Sequence, residues 1–448
     1  MRILTCLLVI VFLAACGGGG GSGLVGPPVG SVECQNDGQK QFVLDNLYTW
    51  YLWNDLLPAG ISISDYATPE ELVREVTRTF GPQKANGDPL DLFSSVGSAQ
   101  ADAEFFGEGK FEGFGFSYRT VDTATSDVRL SRVFASSPAD NGGLERGQQF
   151  VSVDGRSIAD ILANEGIGAA FTNDTVIFEM RRIDGSVFST TITKAVVTIP
   201  PVPQWRVIDR GAGVPPAGYL ELSTFISTAD PVFDTVFAEF IAAGVTDVII
   251  DLRYNGGGLV STANLLGDYL GALANDGFVF SETQFNADRA PANNSTEFFS
   301  RLGNSINLSK LAVIASGGTA SASELVTNSL DAYFDVGIIG ANTFGKPVGQ
   351  IGITFCEKIL RPTSFKTVNA LGEGEYFDGL PVDCPAPDDL NEVVGADTDP
   401  NLIAALSYLN TGACPVTAAP GDQFKVEGEY FDRPELFGPA HREFADAF

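Results

Sequence analysis

The sequence predicts a multidomain α/β protein: a small N-terminal helical domain, a β-rich domain, and an α/β core with a mainly parallel sheet flanked by helices. Three observations carry this prediction. Apolar residues recur at helical spacing from Gln39 onward. Short β-like runs separated by glycine-rich turns follow Phe111. From about residue 197, strands alternate with helices, which is typical of a parallel sheet with helices on both faces. The 448 residues are enough for two or three such domains.

Changes in composition along the chain predict six segments. They are a signal peptide (1–15), a flexible Gly-rich tether (16–33), the helical domain (34–108), the β-rich domain (109–196), the core (197–415) and a C-terminal extension (416–448). Within the helical domain, Thr68-Pro69-Glu70-Glu71 predicts a helix start, because threonine caps a helix and proline suits its first position.

The first residues predict export. Residues 3–13 are an apolar run of 11, too short to span a bilayer, and the run ends in Leu13-Ala14-Ala15-Cys16. Small residues before a cysteine resemble a bacterial lipoprotein signal, which implies that Cys16 carries a lipid. An ordinary secretory peptide cleaved near Ala15 is the alternative. Both interpretations place the protein outside the cytoplasm. The lipoprotein interpretation predicts a cell-envelope location, at the outer membrane facing the periplasm or the cell surface.

The formal net charge of −29 argues against two classes of partner, and its plain interpretation is that acidity keeps an exported protein soluble. A chain this acidic repels nucleic acid and anionic membrane surfaces. Contact with a membrane is therefore expected only through the N-terminal lipid.

Four cysteines lie in the predicted folded region: Cys34, Cys356, Cys384 and Cys414. An even number in an oxidising compartment predicts disulfides, with three possible connectivities. We favour Cys356–Cys384 as a local clip and Cys34–Cys414 as a link between the ends of the fold. None of these cysteines has metal-ligand spacing, so neither a metal nor another cofactor is predicted.

The β-rich region carries a characteristic order of motifs. A Ser-Pro-Ala helix start, a Gly-Leu-x-x-Gly turn and an Asp-Gly turn follow one another between residues 136 and 155. This order resembles a bacterial-type PDZ domain, which binds a peptide C-terminus by adding it as a strand to a sheet edge. The resemblance implies that the backbone of Gly113, Phe114, Gly115 and Phe116 holds the terminal carboxylate. The alternative is that these glycines only make a turn.

In the core, Ser321 is the first candidate for chemistry. It follows the predicted strand Lys310–Ala315 and a turn of small residues, and it opens the predicted helix Ser323–Tyr333. Ser-x-x-Glu before an apolar helix is also a capping box, which is the alternative interpretation. A serine at a helix start is exposed to substrate, and the free N–H of Ala322 is available to stabilise an oxyanion.

Lys346 is the candidate general base, because the single histidine, His441, lies eight residues from the C-terminus. Burial of a lysine in an apolar pocket favours the neutral amine, and Gln350 is placed to orient that amine without adding charge. A surface lysine in a turn is the alternative. Gly340–Pro347 nearly matches a nucleotide-binding P-loop, but proline replaces the hydroxyl that would hold Mg²⁺.

The loop Asp251–Gly258, after the predicted strand Val245–Leu252, completes the candidate site. Its glycines suit either a tight turn or a second oxyanion donor. Together, the Asp-Leu-Arg loop, the Ser-Ala-Ser-Glu motif and the Phe-Gly-Lys motif resemble the carboxyl-terminal-processing (tail-specific) serine peptidases. Ser321 and Lys346 are separated by 25 residues, as in that family.

The resemblance implies a serine endopeptidase that binds the apolar C-terminal tails of proteins through its PDZ domain. It assigns Ser321 as nucleophile, Lys346 as general base, Gln350 as its orienter, and Gly257 and Ala322 as oxyanion donors. Pro347 departs from the family, which commonly has glycine there, and the helical segment near Trp50 lies outside the common core. A non-catalytic, PDZ-containing scaffold that binds peptides at the cell envelope is the alternative function.

Overall fold

The computed structural model describes residues 24–25, 32–122 and 124–415. The predictions for Cys16, His441 and the C-terminal extension fall outside these residues. Within the part of the chain that is described, no helix combines the length and apolarity needed to cross a membrane.

The N-terminal unit consists of three helices and a small sheet. The helices are Asn36–Trp50, Pro69–Phe80 and Ala99–Glu108. The Thr68 hydroxyl accepts a hydrogen bond from the Glu71 N–H at 3.1 Å, which confirms the predicted helix start. The first two helices pack their apolar faces against strands from late in the chain, in a four-stranded sheet. Its strands, in spatial order, are Leu24–Val25, Ile353–Phe355, Lys358–Arg361 and Ser95–Ser98.

The β-rich unit forms a six-stranded antiparallel sheet around an aromatic core. Its strands, in spatial order, are Phe116–Asp122, Asp127–Val133, Gln149–Val153, Thr175–Arg181 and Val187–Thr193, with Arg156–Ser157 paired to the third. The helices Pro138–Asn141 and Ile158–Asn164 complete the unit. A separate two-stranded ladder joins Lys110–Gly113 to Ala195–Thr198. Phe150, Phe171 and Phe178 are buried at the centre of the unit.

A six-stranded sheet forms the core. In spatial order its strands are Gln204–Ile208, Ala217–Glu221, Asp247–Asp251, Lys310–Ala315, Asp335–Gly340 and Cys384–Pro385. The first pairing is antiparallel and the other four are parallel. Parallel strands align their carboxyl ends at one edge of a sheet, where catalytic loops of α/β proteins lie.

Helices cover both faces of the core sheet. Alternate residues of a strand point to opposite faces, so Val248 and Ile250 join one apolar cluster while Ile249 joins another. The first cluster includes residues of the helices Asp230–Ala243, Val260–Asn275 and Ala322–Asp331. The second includes residues of the helix Pro400–Thr411.

A second sheet packs beside the core. Its strands, in spatial order, are Ser295–Phe298, Val279–Phe285, Thr363–Val368 and Val348–Gln350, and the short helix Ala290–Asn293 joins the first two. The strand Val348–Gln350 directly follows the loop that carries Lys346, so this sheet fixes the end of that loop.

The disulfides differ from the pairing that the sequence favoured. Cys34 is bonded to Cys356, with a Cα–Cα distance of 5.8 Å, and Cys384 to Cys414, at 5.2 Å. The favoured pairing was wrong, and sequence separation could not have decided it, because both pairings join one near pair and one distant pair of cysteines. Packing decides it: the N-terminal helices pack on the hairpin that turns at Cys356, and the C-terminal helix returns to the sheet edge at Cys384.

Candidate active site

Ser321 sits at a sharp turn between a buried strand and a helix. The strand Lys310–Ala315 ends six residues before it, and the helix Ala322–Asp331 begins directly after it. Ser321 has φ +55° and ψ −115°. Such a conformation is rare outside glycine and costs on the order of 1–3 kcal/mol, so it persists only where the surroundings impose it. A serine on a strained strand-to-helix turn has the geometry of a nucleophile elbow.

The carboxylate of Glu324 connects this turn to the loop that carries Lys346. Its Oε2 accepts hydrogen bonds from the Ser321 N–H at 2.9 Å and the Lys346 N–H at 2.8 Å. Its Oε1 accepts from the Gly345 N–H at 2.7 Å and the Thr343 hydroxyl at 2.5 Å. Glu324 is fully buried, and burial raises its pKa to about 7 although the four hydrogen bonds act in the opposite direction.

The side chain of Lys346 is buried, with 8% of the residue exposed. Its Nζ lies 3.3 Å from Gln350 Oε1, to which it donates. The Gln350 amide is itself held, because its Nε2 donates to the Phe93 carbonyl at 2.7 Å and to the Arg361 carbonyl at 2.9 Å. The amide oxygen is thereby directed at the lysine.

One wall of the lysine pocket comes from the N-terminal unit. The Phe93 ring centroid lies 4.9 Å from Lys346 Nζ, and Phe93 packs edge to face against Phe344. Asp91 fixes this turn, since its carboxylate accepts from the Phe93 and Ser94 N–H groups and from the Ser94 hydroxyl. Sequence reasoning missed Phe93, because it lies more than 250 residues before Lys346 and no local motif marks it.

The loop after the strand Asp247–Asp251 lies directly against Ser321. A Cβ added at Gly257 would stand 2.7 Å from the Ser321 Cβ and 2.9 Å from the Ala322 nitrogen, and Gly257 has φ +108°. Both predicted oxyanion donors therefore flank Ser321. The Gly257 N–H, however, donates to Asn255 Oδ1 at 2.9 Å, whereas the sequence predicted an amide available to substrate. Ala322 is the first residue of its helix, where N–H groups have no intrahelical acceptor.

A buried ionic network lies behind this loop and joins three parts of the chain. Asp388 accepts from Arg119 and Arg146 of the β-rich unit, both at 2.7 Å, and from Arg253 of the loop at 3.3 Å. The Tyr254 hydroxyl also donates to Asp388, and Arg146 donates to that hydroxyl at 2.9 Å. Burial alone would raise the pKa of Asp388, but the three guanidinium groups outweigh it and hold the pKa well below its ordinary value.

The glycine motif of the β-rich unit forms a loop between Lys110–Gly113 and Phe116–Asp122. The Phe114 ring is buried and packs edge to face on Phe178. Gly115 has φ +86°, and a Cβ there would lie 2.2 Å from the Ser137 Cβ, so only glycine fits. The loop carbonyls are tied to the start of the next helix: Gly115 accepts from the Ser137 hydroxyl, and Phe114 accepts from the Ala139 N–H.

The structure thus brings Ser321, Ala322, Gly257, Lys346 and Gln350 to one region, while the glycine motif belongs to the β-rich unit. Across the residues described, no group of three or more His, Cys, Asp or Glu side chains has the arrangement of a metal site.

Comparisons with known proteins identify the family. Residues 216–378 match the model described as Peptidase family S41, and residues 38–118 match the Peptidase S41 N-terminal domain. The C-terminal processing peptidase of the Tetradesmus obliquus chloroplast is 28% identical over 262 residues, which cover 54% of this chain and 53% of that protein. The carboxy-terminal processing protease CtpA of Bacillus subtilis is 22% identical over 297 residues, 65% of this chain and 59% of CtpA. The chain spans about half the length of the curated relatives it matches.

Solved structures show the same fold. An S41 protease structure from Bacteroides fragilis superposes with a TM-score of 0.65 at 22% identity, over 82% of this chain and 97% of that one. The photosystem II D1 C-terminal processing protease superposes with a TM-score of 0.51 at 20% identity, over 83% of this chain and 100% of that one. From the family matches and these relatives together, the chain belongs to peptidase family S41.

Proposed function

We propose that this protein is a serine endopeptidase of the carboxyl-terminal-processing type that works through Ser321 and Lys346. Membership of family S41 supports a serine-type hydrolase. The observation that carries the residue assignment is the shared carboxylate of Glu324. It binds the backbone N–H of Ser321 and the backbone N–H of Lys346, two residues that are 25 positions apart in sequence.

In the proposed reaction, Ser321 Oγ attacks the carbonyl carbon of the scissile peptide while the neutral amine of Lys346 takes its proton. The oxyanion that forms is stabilised by backbone N–H groups at the Ser321 turn. Collapse of the intermediate breaks the C–N bond, and the Lys346 ammonium returns the proton to the leaving amine. Water then attacks the acyl-enzyme with Lys346 as base, which releases the acid and restores Ser321.

The surroundings of Lys346 support its role as the base. A lysine takes a proton only when its amine is neutral, and burial disfavours the ammonium form. The pocket has an aromatic wall from Phe93, and the neighbouring polar group is a neutral amide, Gln350. A carboxylate at that position would instead stabilise the ammonium.

The oxyanion site needs one rearrangement. Ala322 is placed to donate directly, whereas the Gly257 N–H has to turn from Asn255 Oδ1 or share its hydrogen between two acceptors. The Gly257 carbonyl is held by the Phe225 N–H at 2.8 Å, so the required change is a small rotation within an anchored loop.

We further propose that the substrates are proteins with apolar C-terminal tails, bound by the β-rich unit as a PDZ domain through Gly113–Phe116. One matched relative is named carboxyl-terminal-processing protease, and that name supports cleavage near the carboxyl ends of substrate proteins. We retain the proposed lipid on Cys16, the cell-envelope location and the predicted domain limits 34–108, 109–196 and 197–415. They remain predictions from the sequence.

The test uses the full chain and an unfolded protein substrate with an apolar tail. Ser321→Ala and Lys346→Ala should each abolish cleavage, while two control variants should retain it. Ser329→Ala removes another hydroxyl from the same helix, and Lys366→Ala removes a lysine from the adjoining sheet. Full activity of either site variant would refute the Ser–Lys assignment. Peptide binding without cleavage by the unaltered protein would favour the non-catalytic scaffold.

A further inference from the structure

Glu324 makes more contacts than a helix cap requires. In the capping box of the helix Ala322–Asp331, the Ser321 hydroxyl accepts from the Glu324 N–H, and the Glu324 side chain accepts only from the Ser321 N–H. The other three donors come from residues 343–346, outside the helix. A carboxylate has about four lone-pair positions, two on each oxygen. Here all four are occupied, and one oxygen, Oε2, serves both Ser321 and Lys346.

We propose that Glu324 is a positioning residue that sets the spacing between Ser321 and Lys346, and that it does so only as a carboxylate. This inference rests on the proposed Ser–Lys function. Oε2 accepts from the backbone N–H groups of both residues, whereas the backbone hydrogen bond from the Phe344 N–H to the Thr319 carbonyl, at 2.9 Å, joins the two segments two residues before each. A change at this oxygen therefore moves the nucleophile relative to the base, although Glu324 itself does not touch the substrate.

The hydrogen-bond donors around Glu324 indicate that its carboxyl group is ionised. Four hydrogen atoms point at Glu324, from three N–H groups and one hydroxyl. A protonated carboxyl group adds a fifth hydrogen atom. This hydrogen points at one of the four donors and displaces it from its hydrogen bond. Because burial raises the pKa of Glu324 to about 7, this protonation falls within an accessible pH range.

The groups that face Glu324 are consistent with this inference. Lys346 and Gly345 approach it through their backbones, and Thr343 through its hydroxyl, which also accepts from the Leu380 N–H at 2.7 Å. The ionisable side chain beside it is Tyr376, whose pKa is raised by burial first and then by the charge of Glu324. Tyr376 therefore stays neutral across the working range.

Glu324→Gln in the full chain tests the proposal. The variant keeps the size of the side chain but replaces one acceptor oxygen by an NH₂ group, which cannot accept from two N–H groups. We expect kcat on an apolar-tailed substrate to fall about 100-fold, the loss typical of a misplacement near 1 Å, with KM within about threefold. Reaction of Ser321 with a fluorophosphonate probe should slow in parallel.

The pH dependence of activity distinguishes a positioning role of Glu324 from a purely structural role, which would not change the slope of the profile. In the unaltered protein, both Lys346 and Glu324 must lose a proton, so the acid limb of log(kcat/KM) should reach a slope of two. In Glu324→Gln the slope should fall to one. Thr327→Val is the matched control, because it removes a buried hydrogen bond to the Ser323 carbonyl in the same helix and leaves all four donors to Glu324 in place.

The outcomes separate the inference from the proposed function. If the unaltered protein neither cleaves substrate nor reacts with the probe, the proposed function fails. If it is active and Glu324→Gln matches Thr327→Val in kcat and slope, the inference alone is refuted. Should Glu324→Gln fail to fold, Thr343→Val removes one donor to Oε1, and we expect a loss of roughly three- to tenfold in kcat with KM unchanged; an unchanged kcat would overturn the inference.

Discussion

Gly257→Ala is the perturbation whose effect follows most closely from the geometry. The new methyl group would lie 2.7 Å from the Ser321 Cβ, whereas ordinary contact begins near 3.4 Å. The loop and the Ser321 turn must therefore separate by about 0.7 Å. The backbone conformation adds to this, because φ at Gly257 is +108° and an alanine there costs roughly 1–2 kcal/mol.

We expect this separation to weaken transition-state stabilisation more than substrate binding. A displacement approaching 1 Å between a nucleophile and its oxyanion donors costs about 100-fold in rate, or about 2.7 kcal/mol of activation free energy. The assay measures kcat/KM on an apolar-tailed substrate together with the melting temperature. We predict a rate loss that far exceeds what unfolding explains at the assay temperature.

Gly277→Ala is the control for backbone strain. Gly277 has φ +79°, yet nothing lies within 4 Å of the position its Cβ would take. The variant should therefore lose a similar amount of stability and keep its activity. Equal activities for the two variants, or an unaltered rate in Gly257→Ala, would refute the argument that Gly257 sets the distance to Ser321.

Three further predictions test the elements around the site. Phe93→Ala should admit water to the lysine pocket, and the hydration of the ammonium should outweigh the lost cation–π contact of about 1–2 kcal/mol, so the acid limb of activity should shift to higher pH. Phe93→Leu keeps the pocket apolar and should shift the limb less; identical profiles would contradict this. The disulfides close loops of 322 and 30 residues, and the longer loop should stabilise the fold more. Cys356→Ser should therefore lower the free energy of unfolding by about 6 kcal/mol and Cys384→Ser by about 4 kcal/mol. Urea titration of both variants checks which loss is larger. Asp388→Asn should cost about 3–5 kcal/mol, because it removes the carboxylate that Arg119, Arg146 and Arg253 share, although Arg253 keeps Asp251 and Asp399. The depressed pKa of Asp388 means that its contribution is present above about pH 4 and is lost as the pH falls below that value; an unchanged acid midpoint in Asp388→Asn would count against it.

Local signals in the sequence predicted local structure well. The helix cap at Thr68 depends on residues within one turn, and it is present as expected. The strand Lys310–Ala315 has the predicted bounds, because a short apolar run between turn residues carries its own pattern. The helix predicted at Ser323–Tyr333 runs from Ala322 to Asp331, a shift of one or two residues at each end.

Contacts between distant segments were not predictable in the same way. Phe93 reaches Lys346 because the N-terminal helices pack against strands of residues 353–361, and no spacing rule connects the two. The disulfide pairing failed for the same reason. Glu324 was visible only as a capping residue, since its other three donors come from a loop that the chain brings back over the helix start.

The Asp388 network illustrates a second limit. Arg119, Arg146 and Arg253 are ordinary arginines in the sequence, and all three pair with the carboxylate of Asp388, although Arg253 also pairs with Asp251 and Asp399. A buried charge is tolerated where a partner neutralises it. The sequence does not identify that partner, whereas the packing of the two units does.

If Ser321 is a nucleophile activated by Lys346, a serine-reactive probe should modify Ser321 at a rate that depends on Lys346. The full chain is treated with a fluorophosphonate probe, and the adduct is located and its rate of formation measured by mass spectrometry. We predict a single adduct on Ser321, none in Ser321→Ala, and a rate at least about 100-fold lower in Lys346→Ala. An adduct on another residue, or an equal rate in Lys346→Ala, would contradict the proposed mechanism.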